Sequence, residues 1–377
     1  MLGVSDGPGI FSWKEWEAHK GNWLLGGLPY EWKSYGEARL TSAVSPEIDW
    51  PQAPGFVPRL LLVCLKGSDR VWIVRNELTG WERALERPLK TQPSHPVPNF
   101  QSNFSKSRYL KTVDLLRSHI REGDCYEINL AQAFSAAYHT EAPWKLFEAL
   151  VTVSPVPFAA YFKHNSQHLI SASPERFLRH HKGQLLTQPI KGTARRGTSP
   201  TEDQRLKSSL QASQKEQAEN VMIVDLSRHA LNRFSRPHSV VVPHLFEIQS
   251  FEQVHQMVST VSGTLDPAFT EMEALEGVFP PGSMTGAPKF RVMQLIDQYE
   301  QIGRGMYAGS VGYISPGGSF DFNVVIRSLV YDHQEQILNY HVGGAITYDS
   351  DPELEYEETL LKAKAIREIF STTNDSP

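Results

Sequence analysis

The stretch "TQPIKGTARRG", residues 187–197, places one lysine, Lys191, between an apolar approach and a glycine. The preceding residues "LLTQPI" are typical of a strand, and Pro189 stiffens the chain just before the lysine. Gly192 allows backbone or a ligand to come close. A lone lysine is most often a solvated surface charge, and this interpretation stays open. The alternative is a buried reactive amine, which is a nucleophile only when burial or a nearby cation makes it neutral.

The composition is that of a globular protein with a substantial core. The chain has 377 residues, of which 40% are hydrophobic and 21% charged, with a net charge of −5. This balance gives no reason to expect nucleic acid or a membrane as a partner. Residues 1–20 lack the pattern of a signal peptide, and no apolar run is long enough to span a bilayer. The two cysteines, Cys64 and Cys125, do not indicate secretion, so we expect a cytoplasmic protein.

The order of the predicted elements indicates the fold class. Residues 59–65 and 70–78 are predicted to form a strand pair, and the proline-rich segment 89–104 is the best candidate for a linker. Beyond it, strands cluster, helices cluster, and hairpins outnumber β-α-β units. We therefore expect an α+β fold with largely antiparallel sheets.

Two pairs of glutamates share a three-residue spacing. Glu216 and Glu219 stand in "KEQAEN", and Glu355 and Glu358 stand in "ELEYEE". On a helix this spacing places both carboxylates on one face. Glutamates in a first turn also favour the helix through its dipole, and this simpler role stays open. If both pairs face one cavity, their repulsion favours a cation between them, and Mg²⁺ takes such oxygen ligands.

The C-terminal third carries features of a pocket for a small anion. "PPGSMTGAPK", residues 280–289, lacks the spacing of a Walker A loop, but its backbone N–H groups could bind another anion such as a carboxylate. Arg327 is predicted to lie mid-strand in the apolar run "NVVIRSL". A charged residue at such a position either prevents further strand pairing at a sheet edge or contacts a ligand. Its planar guanidinium suits a carboxylate. The glycine-rich stretches 307–313 and 342–345 would let a ligand approach the backbone.

Eight motifs in one order resemble those of the chorismate-utilising enzymes. The motifs are GDCYEINLAQ, SPERF, PIKGTARRG, ENVMIVDLSRH, PPGSMTGAPKFRVMQLID, GSVGYI, VVIRS and EYEETLLKAKAI. The family includes the large subunits of anthranilate and aminodeoxychorismate synthases, and isochorismate and salicylate synthases. The resemblance implies two largely antiparallel sheets packed as a sandwich with flanking helices. It assigns residues 105–370 to a chorismate-binding catalytic domain, and residues 1–100 to a weakly matched, β-rich part of the same fold.

Within this family, Lys191 distinguishes between branches. Anthranilate synthases usually carry alanine at this position, whereas the enzymes that aminate chorismate at ring carbon 4 carry a nucleophilic lysine. The resemblance therefore implies Mg²⁺-dependent amination of chorismate to 4-amino-4-deoxychorismate, for p-aminobenzoate and folate synthesis. Two alternatives stay open: an anthranilate synthase component or isochorismate-type enzyme, and a non-catalytic binding subunit that kept the fold.

The family mechanism assigns the chemical steps to two residues. Lys191 adds to ring carbon 2 as the 4-hydroxyl leaves, and Glu175 of "SPERF" protonates that leaving group. Ammonia then adds at carbon 4 and expels the lysine. No segment resembles a glutaminase, so we expect ammonia to come from a separate glutamine amidotransferase subunit.

The resemblance also implies which residues bind the metal and the substrate. Glu219 and Glu358 hold Mg²⁺ directly, and Glu216 and Glu355 act through waters. The residues implied to bind chorismate, the first two at its enolpyruvyl carboxylate, are Tyr307, Arg327, Gly343, Gly344 and Thr193. Many relatives carry histidine where this chain has Gln256, and the role of that glutamine stays open.

Overall fold

The computed structural model describes most of the chain, namely residues 1–40, 44–65, 68–82 and 97–370. The strands in these ranges are β1 (Leu2–Val4), β2 (Leu24–Leu28), β3 (Gly55–Phe56), β4 (Leu60–Cys64), β5 (Val71–Asn76), β6 (Gln101–Ser102), β7 (Glu127–Ala137), β8 (Phe158–His164), β9 (Gln167–Ser173), β10 (Arg176–His181), β11 (Gln184–Gln188), β12 (Ile190–Arg195), β13 (Val241–Ser250), β14 (Val254–Thr264), β15 (Gly286–Ala287), β16 (Ser310–Ile314), β17 (Phe320–Asn323), β18 (Ser328–Asp332) and β19 (Ile337–Ile346). The α-helices there are α1 (Trp13–Ala18), α2 (Lys33–Gly36), α3 (Lys106–Arg121), α4 (Pro143–Val153), α5 (Pro200–Ala212), α6 (Gln214–Asn232), α7 (Glu271–Val278), α8 (Lys289–Glu300), α9 (Pro352–Lys362) and α10 (Lys364–Glu368).

Antiparallel pairing joins the described strands into three sheets. The nine-stranded sheet has the order β12-β14-β11-β10-β17-β16-β2-β3, with β13 beside β14. The seven-stranded sheet has the order β15-β7-β19-β18-β9-β8, with β6 beside β7. A small sheet contains β1, β4 and β5. The predicted α+β class with antiparallel sheets is confirmed.

One hydrophobic core joins the two large sheets to the helices. It contains Leu178 and Phe322 from the nine-stranded sheet, Ile128 from the seven-stranded sheet, and Leu116 of α3 and Val224 of α6. Helix α6 packs across β12 and β14, whereas α9 packs against β19 and α3. These contacts bring the strands and helices that carry the candidate site residues to one region of the molecule.

The N-terminal region contributes to the large sheet as well as to the small one. β2 and β3 form one end of the nine-stranded sheet. The predicted strand pair is β4 and β5, which pair directly. The linker predicted at 89–104 lies in part outside the described residues, and its described end contains β6, which pairs with β7. Cys64 and Cys125 are both free thiols. In the described part of the chain, every helix is too short or too polar to cross a membrane.

The structure corrects the predicted position of Arg327. The apolar run that contains it is two strands, β17 in the nine-stranded sheet and β18 in the seven-stranded sheet. Arg327 lies just before β18, where the chain crosses between the sheets, and it has a left-handed φ of +51°. The prediction was wrong because Val324 and Val325 are 1% and 0% exposed, so the crossing is as apolar as a strand. A left-handed arginine is strained, and the surrounding packing must hold it.

Candidate active site

Lys191, the second residue of β12, is a buried amine paired with a carboxylate from the seven-stranded sheet. Its side chain is 11% exposed, and Nζ donates a hydrogen bond of 2.7 Å to Oε1 of Glu127 on β7. Burial lowers the pKa of Lys191, but the carboxylates of Glu127 and Glu219 outweigh burial and leave the pKa raised. Lys191 is therefore not a solvated surface charge. At rest it is an ammonium, and it must lose a proton before it can act as a nucleophile.

Glu175 is a buried carboxyl group that keeps its proton up to neutral pH. It lies between β9 and β10, is 4% exposed, and accepts a hydrogen bond of 2.6 Å at Oε1 from Oγ of Ser283. Burial raises the pKa of Glu175 to about 7, against the opposing effects of Ser283, Lys191 and Arg327. A carboxyl group with this pKa can donate a proton near neutral pH. Ser283 belongs to the glycine-rich loop, which thus contributes a hydroxyl donor.

A bulge in β12 brings Lys191 and its neighbour Gly192 close to α6. Gly192 has a φ of +85°, which favours glycine. A Cβ at this position would lie 2.9 Å from Oε2 of Glu216. The bulge therefore sets the approach of the strand to the first glutamate pair. Thr193, the next residue, is exposed and pairs with Gln256 of β14.

The two glutamate pairs lie on α6 and α9, as the spacing predicted. Burial raises the pKa of Glu219 on α6 and of Glu355 on α9. Oε1 of Glu355 accepts a hydrogen bond of 2.7 Å from Ser350, which fixes this carboxylate. Glu355 and Glu358 both face Gly344 of β19, where a Cβ would lie 3.4 Å and 3.9 Å from their carboxylate oxygens.

Two lysines act on the glutamate pairs. Nζ of Lys362 lies 2.6 Å from Oε1 of Glu358, and Nζ of Lys215 lies 3.9 Å from Oε1 of Glu219. The charge of Lys215 also opposes the rise in the pKa of Glu355 caused by burial and, after Lys362, helps to lower the pKa of Glu358, so this one cation acts on both pairs.

The carboxylates suit a hard cation in kind. Among the described residues, no three His, Cys, Asp or Glu side chains come together as a group that could hold a metal. Mg²⁺ commonly takes only one or two carboxylates and completes its shell with waters and substrate oxygens. The donor chemistry of the two glutamate pairs therefore fits Mg²⁺.

Tyr307 and the second glutamate pair approach β19 from opposite sides. Tyr307 is 5% exposed and stacks on His341, with ring centroids 5.2 Å apart. A Cβ at Gly343 would lie 2.9 Å from the hydroxyl of Tyr307, whereas one at Gly344 would meet the carboxylates of α9. Since successive strand residues face opposite ways, the structure does not group Tyr307 with the glutamates. Arg327 is close enough to Glu175 for the two charges to affect each other, and burial lowers the pKa of this arginine.

One residue that bears on the site, Glu127, gave no clear signal in the sequence, and the role of a second, Gln256, was left open. Glu127 stands in "EINLAQ", and a carboxylate in an apolar alternating run is the signal that could have found it. Gln256 is 1% exposed, and its Oε1 has no hydrogen-bond partner among the described residues. Its neighbour His255 faces away, toward Asp203 and Ser250.

The fold is that of a chorismate-utilising enzyme. The family model for chorismate binding enzymes matches residues 12–368, and the chain belongs to this family. The family predicted from the eight motifs is therefore confirmed.

Three known proteins show where in the family the similarity lies. Aminodeoxychorismate synthase of Streptomyces griseus is 43% identical over 307 residues, which are 80% of this chain and 42% of that protein. Aminodeoxychorismate synthase component 1 of Salmonella typhimurium is 37% identical over 286 residues, which are 76% of this chain and 62% of that protein. The crystal structure of anthranilate synthase component I from Streptococcus pneumoniae TIGR4 aligns with a TM-score of 0.82 at 28% identity, covering 93% of this chain and 81% of that one. The matched part of this chain thus spans less than two thirds of either aminodeoxychorismate synthase.

Proposed function

We propose that the protein aminates chorismate to 4-amino-4-deoxychorismate through a covalent intermediate on Lys191. The observation that carries the proposal is the buried Lys191 amine, 2.7 Å from Glu127 and close enough to Glu175 for their charges to interact. A nucleophile and a proton donor in one site fit a displacement in two steps. The names of the two aminodeoxychorismate synthases support the same reaction. The product would serve the synthesis of p-aminobenzoate and folate.

In the first step, the neutral amine of Lys191 attacks ring carbon 2 of chorismate. The lone pair of Nζ forms the new bond, the two ring double bonds shift, and the bond from carbon 4 to its hydroxyl breaks. Glu175 gives its proton to that hydroxyl, which leaves as water. In the second step, ammonia forms a bond to carbon 4, the double bonds shift back, and the bond between carbon 2 and Nζ breaks. Ammonium in the site can return a proton to Glu175 and supply ammonia, so the protons balance.

Chorismate carries two carboxylates, and the site offers groups for both. Arg327 is half-buried and close enough to Glu175 for their charges to interact, and its guanidinium suits the enolpyruvyl carboxylate. Tyr307 could donate its hydroxyl to the same group. Gly343 and Gly344 are the proposed backbone contacts on β19: Gly343 faces the hydroxyl of Tyr307, and Gly344 leaves room on the side of the second glutamate pair. Thr193 is the most exposed of the proposed contacts and would lie at the entrance.

We propose Mg²⁺ as the cofactor, held directly by Glu219 and Glu358, with Glu216 and Glu355 acting through waters. When bound, the ion would orient the ring carboxylate and offset its charge. Their placement on α6 and α9 supports this assignment. In addition, burial raises the pKa of Glu219 and of Glu355, so the charged forms of these two carboxylates are costly without a counter-charge.

We propose that ammonia reaches the site from a separate glutamine amidotransferase subunit. The printed name "component 1" of the Salmonella typhimurium relative supports a partner of this kind. Nucleic acid and membranes are not part of the proposal, and the cytoplasmic location stays a prediction from the sequence.

Product identification tests the function. Purified protein would be incubated with chorismate, Mg²⁺ and ammonium chloride, and the products identified by mass spectrometry. We expect 4-amino-4-deoxychorismate from the wild type and from Lys111→Ala, a control at an exposed lysine of α3. Lys191→Ala and Lys191→Gln should give none.

The similarity to anthranilate synthase component I favours one alternative product. Anthranilate from the wild type would contradict the proposal and establish that alternative. The absence of any product at every ammonium concentration, with and without an amidotransferase subunit, would favour a binding subunit.

A further inference from the structure

Glu127 is the residue of the site that neither the motifs nor the proposed mechanism assigns. It begins β7, and its side chain is 1% exposed. Oε1 accepts the hydrogen bond from Nζ of Lys191 at 2.7 Å, whereas Oε2 is buried and has no partner among the described residues. The ammonium of Lys191 is the nearest counter-charge to this buried carboxylate.

Four carboxylates from four elements act on the amine of Lys191. They are Glu127 of β7, Glu219 of α6, Glu358 of α9 and Glu175 before β10. Within the described residues, only Glu127 lies within 4.0 Å of Nζ. Glu175 must hold its own proton for the leaving hydroxyl, and the other two are proposed metal ligands. Glu127 is therefore free to take the proton that Lys191 must lose.

The existing hydrogen bond gives this transfer a direct route. An ion pair in a buried site has lost its hydration, and the free Oε2 shows that the carboxylate of Glu127 is not fully compensated. Moving the proton from Nζ to Oε1 turns two buried charges into two neutral groups along an existing hydrogen bond. Removing both charges relieves the cost of burying them, which offsets part of the free energy needed to deprotonate an amine whose pKa is raised.

We propose that Glu127 is the proton partner of Lys191: it orients the resting ammonium and takes its proton when chorismate binds. This inference rests on the proposed function. The bond between Nζ and one hydrogen breaks, and its electron pair stays on nitrogen. The released proton forms a covalent bond to Oε1 of Glu127. The freed pair attacks ring carbon 2, which leaves nitrogen positively charged. When ammonia later expels the lysine, the amine leaves neutral and takes back the proton from Glu127.

The first test measures the ionisation of Lys191 without substrate. Trace labelling with acetic anhydride, which reacts with neutral amines, would be followed by peptide mass spectrometry from about pH 6 to about pH 11. We expect the labelling midpoint of Lys191 to fall by at least about one pH unit in Glu127→Gln, a tenfold gain in neutral amine. Glu127→Asp, which keeps the charge, should stay closer to the wild type. Glu353→Gln is the matched control, because this exposed glutamate of α9 pairs with Lys106, and the labelling midpoint of Lys191 should not move in it.

The second test separates a proton acceptor from a mere ion-pair partner. The rate of adduct formation with chorismate and Mg²⁺ would be followed by intact mass below the pKa of Glu175. If Glu127 takes the proton, the wild-type rate of adduct formation does not change with pH, even at pH values far below the labelling midpoint of Lys191. In Glu127→Gln the proton must leave to solvent, so the rate should rise about tenfold per pH unit.

Two results would overturn the inference. One is a labelling midpoint that is the same in Glu127→Gln and wild type. The other is a wild-type adduct rate that already rises about tenfold per pH unit. Labelling needs no turnover. If the labelling midpoint shifts as expected in Glu127→Gln but the wild type forms no adduct with chorismate, the proposed function is contradicted instead.

Discussion

Replacing Glu175 by glutamine should make the protein inactive and, above neutral pH, more stable. Burial raises the pKa of Glu175 from 4.5 to about 7. The folded state therefore keeps a proton that the unfolded chain loses between these values, so the free energy of unfolding falls as pH rises through this range. A shift of about 2.5 pH units corresponds to about 3 kcal/mol. Glutamine has nearly the same shape, can still accept the hydrogen bond from Ser283, and carries no charge to bury.

Thermal unfolding of wild type and Glu175→Gln, without Mg²⁺ or substrate, measures this difference. Below about pH 4 the two melting temperatures should nearly coincide, because Glu175 is then protonated in both the folded and the unfolded wild type. By about pH 8.5 the variant should melt higher by about 4 °C, since a chain of 377 residues has an unfolding entropy of about 0.8 kcal/mol/K. Ionisations that do not depend on Glu175 are shared and cancel in the comparison. A difference in melting temperature that is the same at both pH values would refute the raised pKa and, with it, the role of Glu175 as proton donor.

Three further substitutions probe the metal site, the scaffold and the substrate contact. Gly192→Ala would place a Cβ 2.9 Å from Oε2 of Glu216, on a residue with a left-handed φ. We expect this substitution to weaken Mg²⁺ binding about tenfold, as measured by calorimetry. An unchanged affinity would show that Glu216 is not part of the metal site. Arg304→Met would leave the buried carboxylate of Glu300 without its ion-pair partner. The free energy of unfolding, measured with urea, should fall by about 3–5 kcal/mol, and a fall below about 1 kcal/mol would contradict this expectation. Tyr307→Phe removes a hydroxyl proposed to bind the enolpyruvyl carboxylate. We expect it to raise KM for chorismate about tenfold, whereas an unchanged KM would remove Tyr307 from the substrate site.

The regular parts of the fold were accessible from the sequence. The strand pair at 59–65 and 70–78 was predictable because short polar residues separate two runs of apolar and β-branched side chains. The three-residue spacing also placed each glutamate pair on one helix face. The charge of one lysine, Lys215, acts on glutamates of both α6 and α9. This arrangement depends on how the two helices pack on the sheets, which a local sequence pattern does not predict.

The positions of Arg327 and Glu127 could not be predicted from local sequence patterns. The apolar residues before Arg327 have the composition of a strand, yet they are buried in a crossing between sheets, where burial rather than strand geometry selects them. The hydrogen bond between Glu127 and Lys191 joins residues 64 positions apart in different sheets. A long-range pair of this kind leaves only a weak trace, a single charge in an apolar strand, and the same trace in "NVVIRSL" led to a wrong placement.

The mass of the protein during turnover tests the covalent account most directly. Wild type would be mixed with chorismate and Mg²⁺ without ammonia, quenched in acid, and measured intact and after digestion. The account predicts a gain equal to chorismate less one water, on the peptide that contains Lys191, absent in Lys191→Gln and discharged by ammonium. A protein that stays unmodified yet forms 4-amino-4-deoxychorismate at full rate when ammonium is added would contradict it.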